Sequence, residues 1–226
     1  MTNTKKATEV EWQNAQNEEF RVWGGFNVGP AAAGGTDWGW YWKQNMNNWD
    51  DIKGKHFENV IEVGCGPFGK NTELAMELIT YDNMYHLDPL LDKYTQNGKS
   101  GIHLLMSKTK STKLPIPLED FTEHENTFDL IICCNVIDHC YDADKCFDNI
   151  YKSLRKGGIL LFGNDLKDES DINLARDTMH PIMLQEDYVE EKLSLYTKIF
   201  HNIIPREQCR NKVCCCGCVF SVLRKD

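Results

Sequence analysis

The sequence predicts an α/β fold in which helices cover both faces of a largely parallel sheet. Apolar stretches that alternate with helical spacing indicate this, because strands separated by helices form parallel sheets. Strands are predicted near residues 58–64, 83–88, 101–106, 128–134 and 158–163, with helices near 70–80 and 142–156. The last helix is the clearest, since Cys146, Phe147, Ile150 and Leu154 share one face before Gly157-Gly158 ends it.

Length and composition narrow the class of protein. The 226 residues fit one domain with a sizeable core. No run approaches the roughly 20 apolar residues of a membrane span, and the N-terminus lacks the apolar core of a signal peptide. We therefore expect a cytoplasmic protein that does not act on membranes. The net charge of −9 argues against nucleic acid as a partner, since nucleic-acid binders usually present a basic face.

Residues 58–69, Glu-Asn-Val-Ile-Glu-Val-Gly-Cys-Gly-Pro-Phe-Gly, are the most informative stretch of the chain. An apolar strand enters a Gly64-x-Gly66-x-x-Gly69 turn, and a helical pattern starts at Asn71. Glycines in such a turn let the backbone approach a ligand closely. The turn alone is shared with dinucleotide-binding enzymes, which seat pyrophosphate there. Glu62, an acid inside the apolar strand, indicates a cationic ligand instead.

A second acid follows the next strand. The short strand Asn83–Leu87 ends at Asp88, which lies about 20 residues beyond the glycines, the spacing of ribose-binding acids. A carboxylate at that position can accept two hydrogen bonds from a vicinal diol. Pro89 comes directly after it.

Together these residues resemble motif I and the following strand of the class I S-adenosylmethionine-dependent methyltransferases, in particular the small-molecule, type 11-like group. The Leu114-Pro115 pair, the strand that begins at Phe128-Asp129 and the Gly157-Gly158 pair continue in the order of that family. The resemblance covers roughly residues 55–165. It implies a Rossmann-like, seven-stranded, mostly parallel sheet that ends in an antiparallel hairpin, for which residues 197–204 and 213–223 are the expected strands.

The resemblance also implies the cofactor, S-adenosylmethionine, which leaves as S-adenosylhomocysteine. The residues expected to bind it are Glu62, Gly64, Cys65, Gly66, Gly69, Asp88, Pro89 and Asn135. Many relatives carry an acid that contacts the adenine amino group shortly before the Leu-Pro pair. This chain has Lys108-Thr109-Lys110-Ser111-Thr112-Lys113 there, so no side chain is assigned to adenine.

The segment Asn135-Val136-Ile137-Asp138-His139 follows the fourth strand and should face the same cleft. His139 is the best candidate for a general base, because imidazole titrates near neutral pH; a pocket wall is the alternative. Asp138 could orient His139 or help to hold a cation. The segment is similar to the E-x-x-E-H segment of ubiquinone-biosynthesis O-methyltransferases, which binds a divalent metal. Asn135 replaces the first carboxylate, which weakens a magnesium site, and we expect no metal.

Residues 1–54 are predicted to form a helical lid or substrate segment, and residues 55–226 the cofactor-binding domain of one globular unit. Residues 1–8 are polar and expected to fray. A helix over residues 9–23 and a second one, capped by Thr36 or Asp37, flank a glycine-rich hinge. The second helix carries several aromatic residues, for which core packing competes with a lid function. His180 either reaches the substrate or lies in a surface turn, and Asp165 either binds a substrate hydroxyl or caps a helix.

Ten cysteines are present, five of them near the end: Cys209, Cys214, Cys215, Cys216 and Cys218. Residues 214–223 read as a continuous apolar strand, in which Cys214, Cys216 and Cys218 would share one face and Cys215 the other. Binding of a soft metal or redox chemistry is the alternative.

The expected function is methyl transfer from S-adenosylmethionine to a small molecule. A hydroxyl acceptor of the sugar or natural-product type is favoured, because the D/N-P-P-aromatic motif of amide and base N-methyltransferases is absent. Two alternatives remain. One is a thiol or metalloid methyltransferase that uses its cysteines. The other is a catalytically silent partner subunit that binds the cofactor.

Overall fold

A computed structural model describes residues 5–24, 35–96, 98–168, 178–210, 212 and 215–226, without the side chains of 35–38. Within these residues, seven strands form one sheet: β1 (His56–Val63), β2 (Thr80–Leu87), β3 (Thr112–Leu114), β4 (Phe128–Cys134), β5 (Leu154–Leu166), β6 (Thr197–Pro205) and β7 (Gly217–Arg224). Their order is β3-β2-β1-β4-β5-β7-β6. The first five strands pair in parallel, and β7 runs antiparallel to both β5 and β6. The predicted mostly parallel sheet with its C-terminal hairpin is confirmed.

Helices pack against both faces of the sheet. They are α1 (Glu9–Trp23), α2 (Gly35–Asn45), α3 (Lys70–Ala75), α4 (Leu91–Thr95), α5 (Gly101–Thr109), α6 (Ala143–Ser153) and α7 (Glu186–Leu193). Along β1, Ile61 contributes to an apolar cluster with α6 and α7, whereas its neighbour Val60 contributes to a second cluster with α2 and α3. This alternation places one cluster on each face, as strand geometry requires. None of the helices described is long and apolar enough to cross a membrane.

The strand predicted over residues 101–106 is wrong, because this segment is helix α5. The Ser100 hydroxyl caps the helix by accepting a hydrogen bond from the His103 N–H at 3.2 Å. Ile102 and Leu105 are buried at a helical spacing, while the adjacent Leu104 is 61% exposed. The edge strand β3 lies further along the chain, in a polar stretch with little strand signal.

The predicted end of the helix over residues 142–156 is also wrong. Helix α6 ends at Ser153, and Leu154 already belongs to β5. Gly157 does not cap the helix; it adopts φ +77° inside β5 and donates its N–H to the Lys225 carbonyl at 2.6 Å. The register between β4 and β5 shifts next to this point, so Gly157 provides the positive φ angle at an irregularity of the strand.

The cysteine-rich end differs from the expected continuous strand, because β7 begins only at Gly217. Cys215 precedes the strand and packs in the same apolar cluster as Cys218, whereas Cys216 contacts the cluster on the opposite face. The predicted division of these cysteines between faces is therefore wrong, because strand alternation does not extend to them. Cys214 lies outside the described residues.

The N-terminal segment is anchored on the rest of the fold from residue 5 onward, although it was expected to fray. The Thr8 side chain caps α1 in a capping box with Glu11. Lys6 forms a β-bridge and a 2.9 Å ion pair with Asp142. Residues 25–34, the predicted hinge, lie outside the described residues.

Helix α2 shares a core with the sheet. The Trp42 ring lies 5.2 Å from that of Phe220 in β7, and Met46 and Trp49 are fully buried in the same cluster. Core packing therefore accounts for Trp42 and Trp49, whereas Trp40 is 48% exposed. The described residues before position 54 therefore share a core with the sheet, and the role of residues 1–54 as a lid or substrate segment stays a prediction.

The structure predicts which leucines stabilise the sheet. Leu161 is fully buried in the middle of β5, so replacing it with alanine should lower the free energy of unfolding by about 2–5 kcal/mol through lost burial and a cavity. Leu195 is 57% exposed, and Leu195→Ala should change it by less than about 0.5 kcal/mol. Urea unfolding of both variants measures this. Equal losses would contradict the placement of the core.

Candidate cofactor and acceptor site

One cavity of about 290 Å³ lies beyond the carboxyl ends of the central strands. Open parallel sheets bind ligands in this place. The cavity is lined by eight of the ten predicted site residues: Glu62, Gly64, Cys65, Gly66, Asp88, Pro89, Asn135 and His139. Gly69 and Asp138 lie behind the lining. The structure thus brings together residues from three separate segments of the sequence.

The glycine turn combines packing with an open face. Gly64, Gly66 and Gly69 all adopt φ between +57° and +61°, a conformation that favours glycine. A Cβ on Gly64 would lie 2.5 Å from the Val136 side chain, and one on Gly69 would lie 2.5 Å from Leu105. A Cβ on Gly66 would meet nothing within 4 Å. Gly64 and Gly69 therefore shape the turn, whereas Gly66 leaves the backbone accessible from the cavity.

Glu62 holds the N-terminus of helix α3. Its carboxylate accepts hydrogen bonds from the Asn71 N–H at 3.2 Å, the Asn71 side-chain amide at 3.1 Å and the Thr72 N–H at 3.1 Å. Burial raises the pKa of Glu62 to about 7, although the hydrogen bonds from Thr72 and Asn71 act in the opposite direction. The acid that marked the sequence motif thus ties β1 to the helix that follows the turn.

Asp88 presents a carboxylate to the same cavity. Its Oδ2 accepts a hydrogen bond from the Gly66 N–H at 2.9 Å, and its Oδ1 accepts one from the Leu90 N–H at 2.8 Å. Burial raises the pKa of Asp88 to about 6, against the effect of these two hydrogen bonds. The carboxylate is fixed at the point where β2 ends, facing the open side of the glycine turn.

The segment after β4 is held by Asn164 of β5. Its Oδ1 accepts hydrogen bonds from the Val136 and Ile137 N–H groups, both at 3.1 Å. Its Nδ2 donates to Asp138 Oδ1 at 2.8 Å. Asn135 adopts φ +61° and donates its N–H to the Gly163 carbonyl at 2.8 Å. These contacts orient the turn that carries Asp138 and His139.

His139 lies in the cavity wall and faces helix α1. Its Nδ1 is 3.6 Å from Glu19 Oε2, and its Nε2 is 3.4 Å from Asn135 Nδ2. Burial lowers the pKa of His139, and the adjacent His180 lowers it further. Glu19 was missed in the sequence. A signal existed, since Trp12, Gln16, Glu19 and Trp23 recur at the spacing of one helical face and all line the cavity.

Asp138 lies between Asn164 and His180. One carboxylate oxygen bonds to Asn164, and the other, Oδ2, makes no hydrogen bond and lies 3.9 Å from His180 Nε2. Burial acts to raise the pKa of Asp138, but the charges of His139, His180 and Lys167 hold it below its usual value. The His139 and His180 rings are 4.2 Å apart, centroid to centroid.

His180 and Asp165 both line the cavity. The side chain of His180 is only 14% exposed, so the surface-turn alternative does not describe it. Asp165 accepts a hydrogen bond from the Cys218 thiol at 2.7 Å, and burial raises its pKa to about 6.

Two groups of three side chains bring ligating atoms within 4.8 Å of one another among the described residues. One is Asp138, His139 and His180, and the other is Glu119, Cys140 and Cys146. In the second group, Glu119 Oε1 already accepts hydrogen bonds from the N–H groups of Tyr141 and Asp142. Burial raises the pKa of the Cys146 thiol well above its usual value, which disfavours the thiolate that a metal needs.

Residues 61–162 match the family model described as a methyltransferase domain. This part of the chain is similar to methyltransferase domains. It includes the glycine turn, Asp88, Asn135 and His139, and it ends inside β5. No curated protein matches the sequence.

Solved structures show the same fold. The N-methyltransferase NodS from Bradyrhizobium japonicum WM9, solved with S-adenosylhomocysteine, is 17% identical, with 95% of this chain and 98% of that chain covered and a TM-score of 0.60. The 1,6-didemethyltoxoflavin-N1-methyltransferase from Burkholderia thailandensis is 14% identical, with 97% and 92% covered and a TM-score of 0.62. A putative methyltransferase in complex with the Trm112 activator of Haloferax volcanii is 11% identical, with 92% and 96% covered and a TM-score of 0.67. The domain thus has the class I methyltransferase fold.

The raised pKa of Glu62 predicts a pH-dependent contribution to stability. The pKa is about 7 in the folded protein against 4.5 for an unperturbed glutamate, so the contribution is complete below about pH 4.5 and is lost as the pH rises through 7. The free energy of unfolding of the wild type, relative to Glu62→Gln, should therefore fall by roughly 2–3 kcal/mol between pH 4.5 and 8. Urea unfolding across this range measures it.

Glu58→Gln controls for the loss of a negative charge, because Glu58 lies on the same strand and its side chain is 62% exposed. A difference between wild type and Glu62→Gln that stays constant with pH would contradict the assignment.

Proposed function

We propose that this chain transfers the methyl group of S-adenosylmethionine to a hydroxyl group of a small molecule. The observation that carries the proposal is the single cavity that contains the open face of Gly66, the Asp88 carboxylate and the imidazole of His139. Methyl transfer is an in-line displacement, so donor and acceptor must meet in one water-excluded place. A cofactor end and a histidine end in the same cavity meet that requirement.

The donor end fits S-adenosylmethionine in shape and charge. The open side of Gly66 gives the amino-acid part of the cofactor access to the backbone, and the two Asp88 oxygens suit the ribose hydroxyls. The Glu62 carboxyl group lines the cavity at the base of the turn and, when ionised, favours a cationic ligand. Cys65, Pro89 and Asn135 complete this wall, while Gly69 shapes the turn from behind. When bound, the cofactor supplies an electrophilic methyl group on a sulfonium.

The end of the cavity that would hold the methyl acceptor contains His139, the proposed general base. A hydroxyl group attacks a methyl group far more readily as it loses its proton, and we assign this proton to His139. The buried carboxylate of Asp138 lies next to two imidazoles and balances the positive charge that the proton brings. No metal is part of the proposal, because Lys167 already acts on Asp138 and His139 with a positive charge, and Asn135 stands where a further carboxylate would be needed.

The N-terminal segment, residues 1–54, serves in this proposal as the wall and lid of the acceptor end, and residues 55–226 as the cofactor-binding domain. Support comes from α1, which lines the cavity and donates a hydrogen bond from the Gln16 side chain to the His139 carbonyl at 3.3 Å. The Trp12 and Tyr141 rings meet edge to face at 5.2 Å and hold the helix there.

The two alternatives have less support. A thiol or metalloid methyltransferase needs reachable thiolates. The pKa of Cys209 is lowered by hydrogen bonds from Cys218 and Cys215, but Cys209 is only 2% exposed. A silent partner subunit needs an acceptor cleft closed by apolar surface, whereas this cavity has Glu19, Asp165 and two histidines in its wall.

Cofactor binding tests the donor end. Asp88→Ala should lower the affinity for S-adenosylhomocysteine at least about tenfold in calorimetric titration, since a charge-assisted hydrogen bond contributes about 1.5–3 kcal/mol. Asp92→Ala is the matched control, because Asp92 is exposed and pairs only with Lys113 among the described ion pairs. Equal affinities for both variants would contradict the role of Asp88.

Turnover tests the acceptor end. With a hydroxylated acceptor found by screening, His139→Ala should lower kcat by about 10²–10⁴-fold, the usual contribution of a general base. The affinity of the His139→Ala variant for S-adenosylhomocysteine should stay unchanged. His56→Ala, at an exposed position of β1, is the control. A kcat that survives His139→Ala would leave His139 as a wall of the pocket.

A further inference from the structure

Glu19 of helix α1 is partly buried beside His139, without a hydrogen bond that explains its position. Its Oε2 makes no hydrogen bond, and its side chain is 21% exposed in the cavity wall. Burial raises the pKa of Glu19, which means that placing its charged carboxylate here costs free energy of desolvation. A buried acid that faces a histidine in a cavity of this kind needs a functional explanation.

The backbone of α1 fixes Glu19 in place. The Trp12 ring packs on Tyr141 on one side of Glu19, and the Phe20 ring lies 5.8 Å from that of Tyr94 on the other. The position of the Glu19 backbone is therefore set by packing along the helix.

The two nitrogens of His139 have different neighbours. Nδ1 faces the Glu19 carboxylate at 3.6 Å, and a carboxylate can only accept a hydrogen bond. Nε2 faces the Asn135 amide nitrogen at 3.4 Å, and that group can only donate. Both contacts favour the same neutral form of the ring, with the proton on Nδ1 and the lone pair on Nε2.

We propose that Glu19 is a positioning residue that holds His139 in the tautomer whose Nε2 takes the proton of the acceptor. The inference rests on the proposed function and extends it to the N-terminal helix. The acceptor O–H displaces the 3.4 Å contact of the Asn135 amide and gives its proton to the Nε2 lone pair as the oxygen forms a bond to the methyl carbon. The carbon–sulfur bond breaks, and its electron pair stays on sulfur as the thioether. Glu19 then faces an imidazolium and stabilises it, as the orienting acid does in a catalytic triad.

Other charged groups act on the same ring. Asp138 precedes His139 on its own turn, His180 packs on the ring from the segment before α7, and Lys167 follows β5. His180 and Lys167 lower the pKa of His139, whereas Asp138 and Glu19 raise it. Removing the Glu19 charge should therefore lower the pKa of His139 further, while the other three groups remain.

The test reads the histidine directly and needs no acceptor. Long-range proton–nitrogen NMR spectra of the ¹⁵N-labelled full chain, recorded with S-adenosylhomocysteine across pH 4–9, report the tautomer and the pKa of each histidine. The signals that disappear in His139→Gln assign the ring. In the wild type we expect the Nδ1-protonated tautomer, and in Glu19→Gln a smaller share of it together with a lower pKa. Glu19→Asp keeps the charge and should restore part of the shift.

The control is Glu18→Gln, which removes the neighbouring acid of α1, paired with Arg21. It should leave both readouts unchanged. A wild-type ring protonated on Nε2, or an unchanged tautomer and pKa in Glu19→Gln, overturns the inference, and the first result does so even if a variant does not fold.

Calorimetry of the same samples separates this inference from the proposed function. Absence of S-adenosylhomocysteine binding to the wild type would reject the function, whereas an unchanged ring in a protein that binds it would reject only the role of Glu19. With an acceptor in hand, Glu19→Gln should lower kcat about 10–100-fold at unchanged KM, and adding it to His139→Ala should cause no further loss.

Discussion

The contact between Glu62 and the first turn of α3 is the constraint on which the site depends. The carboxylate satisfies backbone N–H groups of the helix that would otherwise have no partner, and it does so from within the central strand β1. The glycine turn has to connect β1 to α3 over a short distance, and its three glycines therefore adopt left-handed backbone conformations. Because Asp88 accepts a hydrogen bond from Gly66 in that turn, the position of the second acid follows from the first.

A second set of contacts builds the other half of the cavity. Asn164 holds the turn after β4 through both the oxygen and the nitrogen of its side-chain amide, and this turn carries Asp138 and His139. Helix α1 closes the cavity from outside the sheet, so the proposed acceptor end combines a rigid strand end with an element contributed by the N-terminal segment. In the proposed function, the elements that cover the sheet would select the substrate, whereas the ends of the sheet strands would bind the cofactor.

The sequence predicts that the glycine turn and Asp88 lie together, because the spacing of glycines and acids is imposed locally by one turn and one strand. It predicts the periphery less well. Residues 101–106 have an apolar content that fits a strand or a helix, and the Ser100 cap decides between them. Gly157 signals a break in regular structure without telling a helix end from a strand irregularity. Glu19 lies 120 residues from His139, and only tertiary packing brings the two together.

The crystal structure of the chain with S-adenosylhomocysteine would test the central claim most directly. The account predicts the ligand in the cavity beyond β1, β2 and β4, with its ribose hydroxyls on Asp88, its amino-acid part at the open side of Gly66, and its sulfur directed towards the His139 end. A folded protein that binds no S-adenosylhomocysteine at millimolar concentration, or that binds it away from the glycine turn, would contradict the account.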